Sequence, residues 1–295
     1  MHRSPFLALV PLAPLAVLAV DCVPPGNSTP SDAGAQPTVS KDIPASHNNR
    51  PSVNVLTTVF EDNFDRPNLP SANSPAPSAS ASGAAATTDA AAGDASASAA
   101  SASSASFVPA PSNLGPNWLQ TGNNWEIENG RLCGKMAHNH GVWLQKTLPV
   151  NARIEFDAIS DALDGDLKCE AWGDGRSAAT AISYTNATSY LAIFGGWKNT
   201  FHVLARINEH GTDRKEIKID KTSDDPTEQP VTAGQVYHFK IERTDGKTVK
   251  WSVNNVDYLS YPDPAPLVGM GHDHFGFNDW EAKVCFDNVK VTPLP

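Results

Sequence analysis

From residue 114 to the end of the chain, apolar and polar positions alternate in short runs broken by turn residues. In VNARIEFDAIS (150–160), Val150, Ala152, Ile154, Phe156 and Ala158 fall on one face, with Asn151, Arg153, Glu155 and Asp157 on the other. A period of two predicts a strand with one buried face. DLKCEAW (166–172) sets Leu167, Cys169 and Ala171 opposite Lys168, Glu170 and Trp172. In TFHVLARINEHG, Phe201, Val203, Ala205 and Ile207 share a face, and His202 and Arg206 take the polar phase. Residues 236–258 predict a hairpin: Tyr237, Phe239 and Ile241 run out, Asp245-Gly246 turns, and Val249, Trp251 and Val253 return. Asn254-Asn255 makes a further turn. In the last strand Phe286 is in the even phase while Val289 and Val291 are in the odd, so a bulge at Asp287-Asn288 is needed to bury all three. No helix of ordinary length is predicted. Many short strands with regular turns make this an all-β chain, folded as a two-sheet antiparallel sandwich of jelly-roll type.

The first part of the chain has a different texture. Arg3 followed by the apolar PFLALVPLAPLAVLAV predicts a secretory signal over residues 1–21. Cys22, in LAVDC, resembles the lipidated cysteine of bacterial lipoproteins, with Asp21 where a small residue is usual. Residues 22–52 are rich in Pro, Ser, Thr and Asn, as a tether is. Residues 53–70 hold a first strand, NVLTTVFEDNF, and residues 71–112 are almost all Ala, Ser, Gly and Pro, too small and polar to bury a core. Residues 113–295 form the rest of the domain. Residues 71–112 are then either a linker or an insertion in the domain's first loop, and the insertion is tolerable because loop closure costs grow slowly with length.

A net charge of −10 without any cluster of Lys or Arg excludes a nucleic-acid surface. The address expected from the signal and Cys22 is the bacterial cell envelope, with membrane contact through a lipid anchor only. Beyond Cys22 the chain holds Cys133, Cys169 and Cys285: one disulfide and one thiol, with all three pairings open.

NNWEIENGRLCG, the 236–258 hairpin and HFGFNDWEAKVCFDNVKV resemble the concanavalin A-like lectin/glucanase superfamily. Within it they are most similar to domains related to 3-keto-disaccharide hydrolases and to laminin-G-like domains. The resemblance implies that VFEDNF and CFDNVKV are neighbouring terminal strands, and with this that 71–112 is an insertion in the domain's first loop. It implies a carbohydrate partner, and it leaves open a lectin-like binding protein, a glycan-active hydrolase or lyase, and a structural or protein-binding sandwich.

Seven tryptophans sharpen the binding reading, since a sugar stacks its apolar face on an aromatic ring and meets polar groups around it. The candidate ligand-binding residues are Trp172 with Asp174 and Arg176, Trp197 with Lys198, the His202–Arg206 phase, and Asn278 with Trp280. Trp125 and Trp251 have the phase of core residues. For an enzyme, the candidate catalytic set is Asp157, Glu170, His202 and Arg206; EFDAIS lacks the second glutamate of the superfamily's glucanase strand. No cofactor is required. Calcium, which laminin-G-like relatives often bind, would be held by Asp161, Asp164 and Asp166. Two His-x-His pairs, His138/His140 and His272/His274, would need to converge to hold a metal.

Overall fold

The computed structural model describes residues 52–67 and 114–295. The expected signal, Cys22, nearly all of the tether and the Ala/Ser tract lie outside the described residues. The described chain folds into two antiparallel sheets. One runs β13 (Val256–Pro262), β12 (Thr248–Val253), β11 (Val236–Arg243), β6 (Ala152–Ser160), β15 (Val284–Pro293), β4 (Arg131–Gly134) and β3 (Trp125–Glu128), with β1 (Phe60–Asp62) also paired to β15. The other runs β10 (Lys215–Lys218), β9 (Phe201–Arg206), β8 (Tyr190–Gly195), β7 (Leu167–Gly173), β14 (His274–Asn278), β5 (Val142–Leu144) and β2 (Trp118–Gln120). No helix among the described residues is long and apolar enough to cross a membrane.

The alternation of β6 becomes burial at every second residue, and Ile154, Phe156 and Ala158 enter the core between the sheets. There Phe156 lies 4.9 Å from Phe239 and 5.7 Å from Phe275, ring centre to ring centre. Trp125 and Trp251 are buried, as their phase predicts. The Asp245 carboxylate closes the hairpin turn by accepting from the Lys247 and Thr248 amides at 3.0 and 2.7 Å. In β15 the pairing with β6 slips between Asp287 and Lys290, and Asn288 takes a left-handed backbone, φ 52°. This bulge brings Phe286, Val289 and Val291 into one core.

The first and last strands are partners: Phe60 stands opposite Val291 and Asp62 opposite Val289. Trp118 Nε1 donates to Asp62 Oδ2 at 2.8 Å, and its ring lies 5.3 Å from Phe64. The two sides of residues 68–113 therefore meet in one sandwich. Cys133 and Cys285 sit opposite each other on β4 and β15 and form the disulfide, leaving Cys169 as a buried thiol.

Two side chains depart from the simple alternation. Trp172 shares the polar phase of β7, yet its ring is in the core between the sheets. Ala171 pairs with Phe275 but Gly173 pairs with His274, so Trp172 is the extra residue of a bulge, with φ 56°. Its Nε1 donates to the Pro149 carbonyl at 3.1 Å. His202 also points inward, its ring 4.3 Å from Phe194, because both faces of β9 are covered.

Candidate functional site

The chain itself covers part of the outer face of the seven-stranded sheet. The connection from Asp174 to Ser189 lies over β8 and β9, where Tyr184 and Ala187 pack on Leu191, Ile193, Val203 and Ala205. Beneath it the Glu170 carboxylate accepts from Tyr184 Oη (3.1 Å), Ser189 Oγ (2.6 Å) and Asn278 Nδ2 (2.6 Å). Burial raises the Glu170 carboxyl to about 7 in spite of these bonds. Towards β5 the face is filled by Trp143. Its ring lies across Gly173 and Gly276, where a Cβ would come within 2.5 and 2.9 Å of ring carbons. Its Nε1 donates to the Ser177 carbonyl at 2.9 Å.

Beside this cover a groove of about 930 Å³ stays open, a volume in the range of small-ligand sites. Trp197 and Trp280 both line it. Trp197 is carried by a left-handed turn after β8: Trp197, Lys198 and Asn199 have φ of 50°, 58° and 57°. A bulky L-residue pays strain for that backbone, and three in succession need external support. Asn199 supplies it. Its Nδ2 donates to the carbonyls of Leu163 (2.8 Å) and Val231 (3.0 Å), and its Oδ1 accepts from the Val231 amide (2.8 Å). The Arg214 guanidinium lies over one face of the Trp197 ring, 4.9 Å from its centre, which leaves the other face for a ligand. Trp280 packs edge-on against His138 at 4.7 Å.

The groove floor is charged but internally paired. Lys168 Nζ donates to Asn139 Oδ1 at 2.7 Å and to Glu209 Oε2 at 3.0 Å. Burial works against its charge, yet Asp166 and Glu209 outweigh burial and hold it above the ordinary lysine value. Glu209 Oε1 accepts from the Tyr184 amide at 3.1 Å, tying the floor to the covering segment. Asp166 Oδ2 accepts from the Trp280 amide at 3.0 Å. Next to Trp280, burial and the nearby Asp166 push the Asp279 carboxyl up to about 8. The roles of Asn139 and Glu209 were not legible in the sequence, since both come from turns and reach Lys168 only through the fold.

The candidates named from the sequence separate into groups. Trp197, Lys198 and Trp280 line the groove, and Asn278 supports Glu170 below it. Trp172 and His202 are in the interior, and Arg206 is paired with Asp263 at 2.7 Å and bonded to the Ala265 carbonyl. Asp174 accepts from the Arg176 and Ser177 amides in a turn, with the Arg176 side chain exposed; neither lines the groove. The proposed catalytic set does not converge. Asp157 is on the other sheet, 2.9 Å from His238 Nδ1, while Glu170 is enclosed under the covering segment. His202 accepts from the Gly195 amide through Nδ1 and faces the Gln229 carbonyl with Nε2, and burial lowers it to about 4.

Asp161, Asp164 and Asp166 border the groove, but Asp161 is 3.7 Å from Lys283 and Asp166 is engaged by the Trp280 amide. His138 lies 3.5 Å from Glu281, whereas His272 contacts the Thr188 carbonyl and His274 the Asp273 carboxylate. Among the described residues no three His, Cys, Asp or Glu side chains gather to hold a metal ion.

No family model matches the chain, and no curated protein matches it in sequence. Solved structures with a related backbone include the carbohydrate binding module CBM66 from Bacillus subtilis, 17% identical, with 59% of this chain and 94% of that chain covered at a TM-score of 0.44. The carbohydrate recognition domain of Emp46p is 13% identical over 60% of this chain and 88% of that one, at a TM-score of 0.40. The alginate lyase Aly36B is 11% identical over 57% and 83%, at a TM-score of 0.38. The fold of this chain stands on its own strand pairing.

Proposed function

We propose that this protein binds carbohydrate in the groove on the outer face of its seven-stranded sheet. The observation that carries the reading is the presentation of Trp197: a half-buried indole held at the groove by a strained left-handed turn that Asn199 pins in place. Such strain persists where the surroundings enforce it and is concentrated at functional sites. Trp280 supplies a second aromatic platform in the same groove, and polar side chains surround both. The role is that of a lectin-like module, exported and anchored to the cell envelope through Cys22. Binding without chemistry is favoured because Asp157, Glu170, His202 and Arg206 are dispersed over two sheets and the interior.

The test is a screen of soluble polysaccharides with the full chain, reading binding and released sugar from the same samples. Saturable binding that weakens in Trp197→Ala and Trp280→Ala, with no sugar released, is expected. Released product would turn the reading to a glycan-active enzyme, and the absence of both would leave a structural or protein-binding sandwich.

A further inference from the structure

The groove's polar and apolar parts are unequally available to a ligand. Lys168 is committed to Asn139 and Glu209, Asp166 to the Trp280 amide, and Glu209 to the Tyr184 amide. A sugar hydroxyl arriving at these atoms competes with bonds already made, so it gains less there than from unpaired groups. The apolar part has no such commitment. Seven large hydrophobic side chains are well exposed among the described residues. Two of them, Met136 (44% exposed) and Ile182 (82%), line the groove, and a third, Leu163, lies between the lining residues Ala162 and Asp164. Clustered exposed hydrophobes mark a contact surface, whereas single ones do not. Four lysines and five carboxylates line the groove, so neither sign of charge dominates, and a ligand of strong charge has no advantage there.

Resting on the carbohydrate reading, we infer that the ligand is a neutral glycan bearing acetyl groups, as esters or amides. The sugar ring stacks on Trp197 or Trp280, and the acetyl methyl takes the apolar wall formed by Ile182 and Met136. Burying the acetyl methyl against that wall adds an apolar gain that a bare hydroxyl lacks.

Two matched pairs of uncharged probes test this with the full chain in titration calorimetry. One pair is acetylated xylo-oligosaccharides against the same material after alkaline deacetylation; the other is N-acetylchitohexaose against cellohexaose. The first identifies an ester-bearing ligand and the second an amide-bearing one. The acetylated member of at least one pair is expected to bind about fourfold more tightly for each methyl buried. Ile182→Ser and Met136→Ser, at exposed positions that leave the core intact, should reduce that ratio towards one; the ratio is taken within each pair, so a loss common to both members cancels. Equal affinity within each pair, or a preference that both variants retain, overturns the inference and leaves sugar binding standing. Binding of none of the four probes overturns it, and the broader polysaccharide screen then decides whether the groove takes sugar at all.

Discussion

The guanidinium of Arg243 lies 4.0 Å from the centre of the Trp172 ring. Both residues are buried, and Arg243 also donates to the carbonyls of Val150 and Leu267 at 2.6 and 2.8 Å. This pair therefore belongs to the architecture of the core, away from the groove. Trp172→Ala is expected to destabilise the fold by about 3–5 kcal/mol, the usual cost of deleting a buried indole. Glycan affinity of the variant that remains folded at low temperature should be unchanged. Urea denaturation and a binding isotherm on the same sample check both halves.

The groove tryptophans should behave in the opposite way. Trp197→Ala or Trp280→Ala removes a half-exposed ring, so the melting temperature should move little while glycan affinity falls about tenfold, near 1.4 kcal/mol. A variant that binds as the parent does would remove that ring from the site.

Asn199 acts on the site through Trp197. Asn199→Ala deletes three hydrogen bonds that secure the left-handed turn. Expected are weaker glycan binding and an altered Trp197 environment, read as a change in fluorescence between this variant and the same variant in a Trp197→Phe background. Asn199→Gly tolerates the backbone but not the bonds, and should lie between the two.

Stability should depend on pH through three buried groups. Glu170 and Asp279 are raised by burial to about 7 and about 8, from 4.5 and 3.8. The folded protein then holds protons that the unfolded chain releases, so their contribution is complete below about pH 4 and is lost as pH climbs through those values. His202, lowered by burial to about 4 from 6.5, acts in the reverse sense and costs stability as pH falls below about 6.5. Of the three, only the carboxyls act above that point, so the melting temperature should decline from about pH 6.5 to 8. Glu170→Gln should make the decline shallower; a rise over that window would contradict the assignment.

The disulfide joins Cys133 to Cys285 across 152 residues. Replacing both by serine should cost about 2–5 kcal/mol, chiefly by freeing the unfolded chain. Cys169 should stay inert to a thiol reagent until denaturant is added, since burial pushes its ionisation far up.

Much of the sandwich could be read from the sequence because its strands bury one face. The β15 bulge was visible there, since Phe286, Val289 and Val291 cannot share a face without it. The bulge at Trp172 was not. Its cause is the register between β7 and β14, and an aromatic residue in the polar phase looks the same whether it faces a ligand or turns inward. His202 was misleading for a related reason: when both faces of a strand are covered, alternation no longer separates inside from outside. Trp197 and Trp280 were identifiable as aromatic residues next to turns. The Lys168–Asn139–Glu209 floor joins distant segments and has no local signature.

Trp143, Gly173 and Gly276 fit together as a cast fits its mould. None of the three can drift alone. A side chain at either glycine collides with the indole, and a smaller residue at 143 leaves a void over two strands. Among relatives Trp143 and Gly173 should change in concert, the glycine released only where the tryptophan has already gone, while Gly276 stays glycine because a Cβ there also meets the Val142 carbonyl at 2.6 Å. That linked variation would be a record of ancestry independent of the groove, so a descendant could exchange Trp197 and Trp280 for a new ligand while keeping this triplet intact.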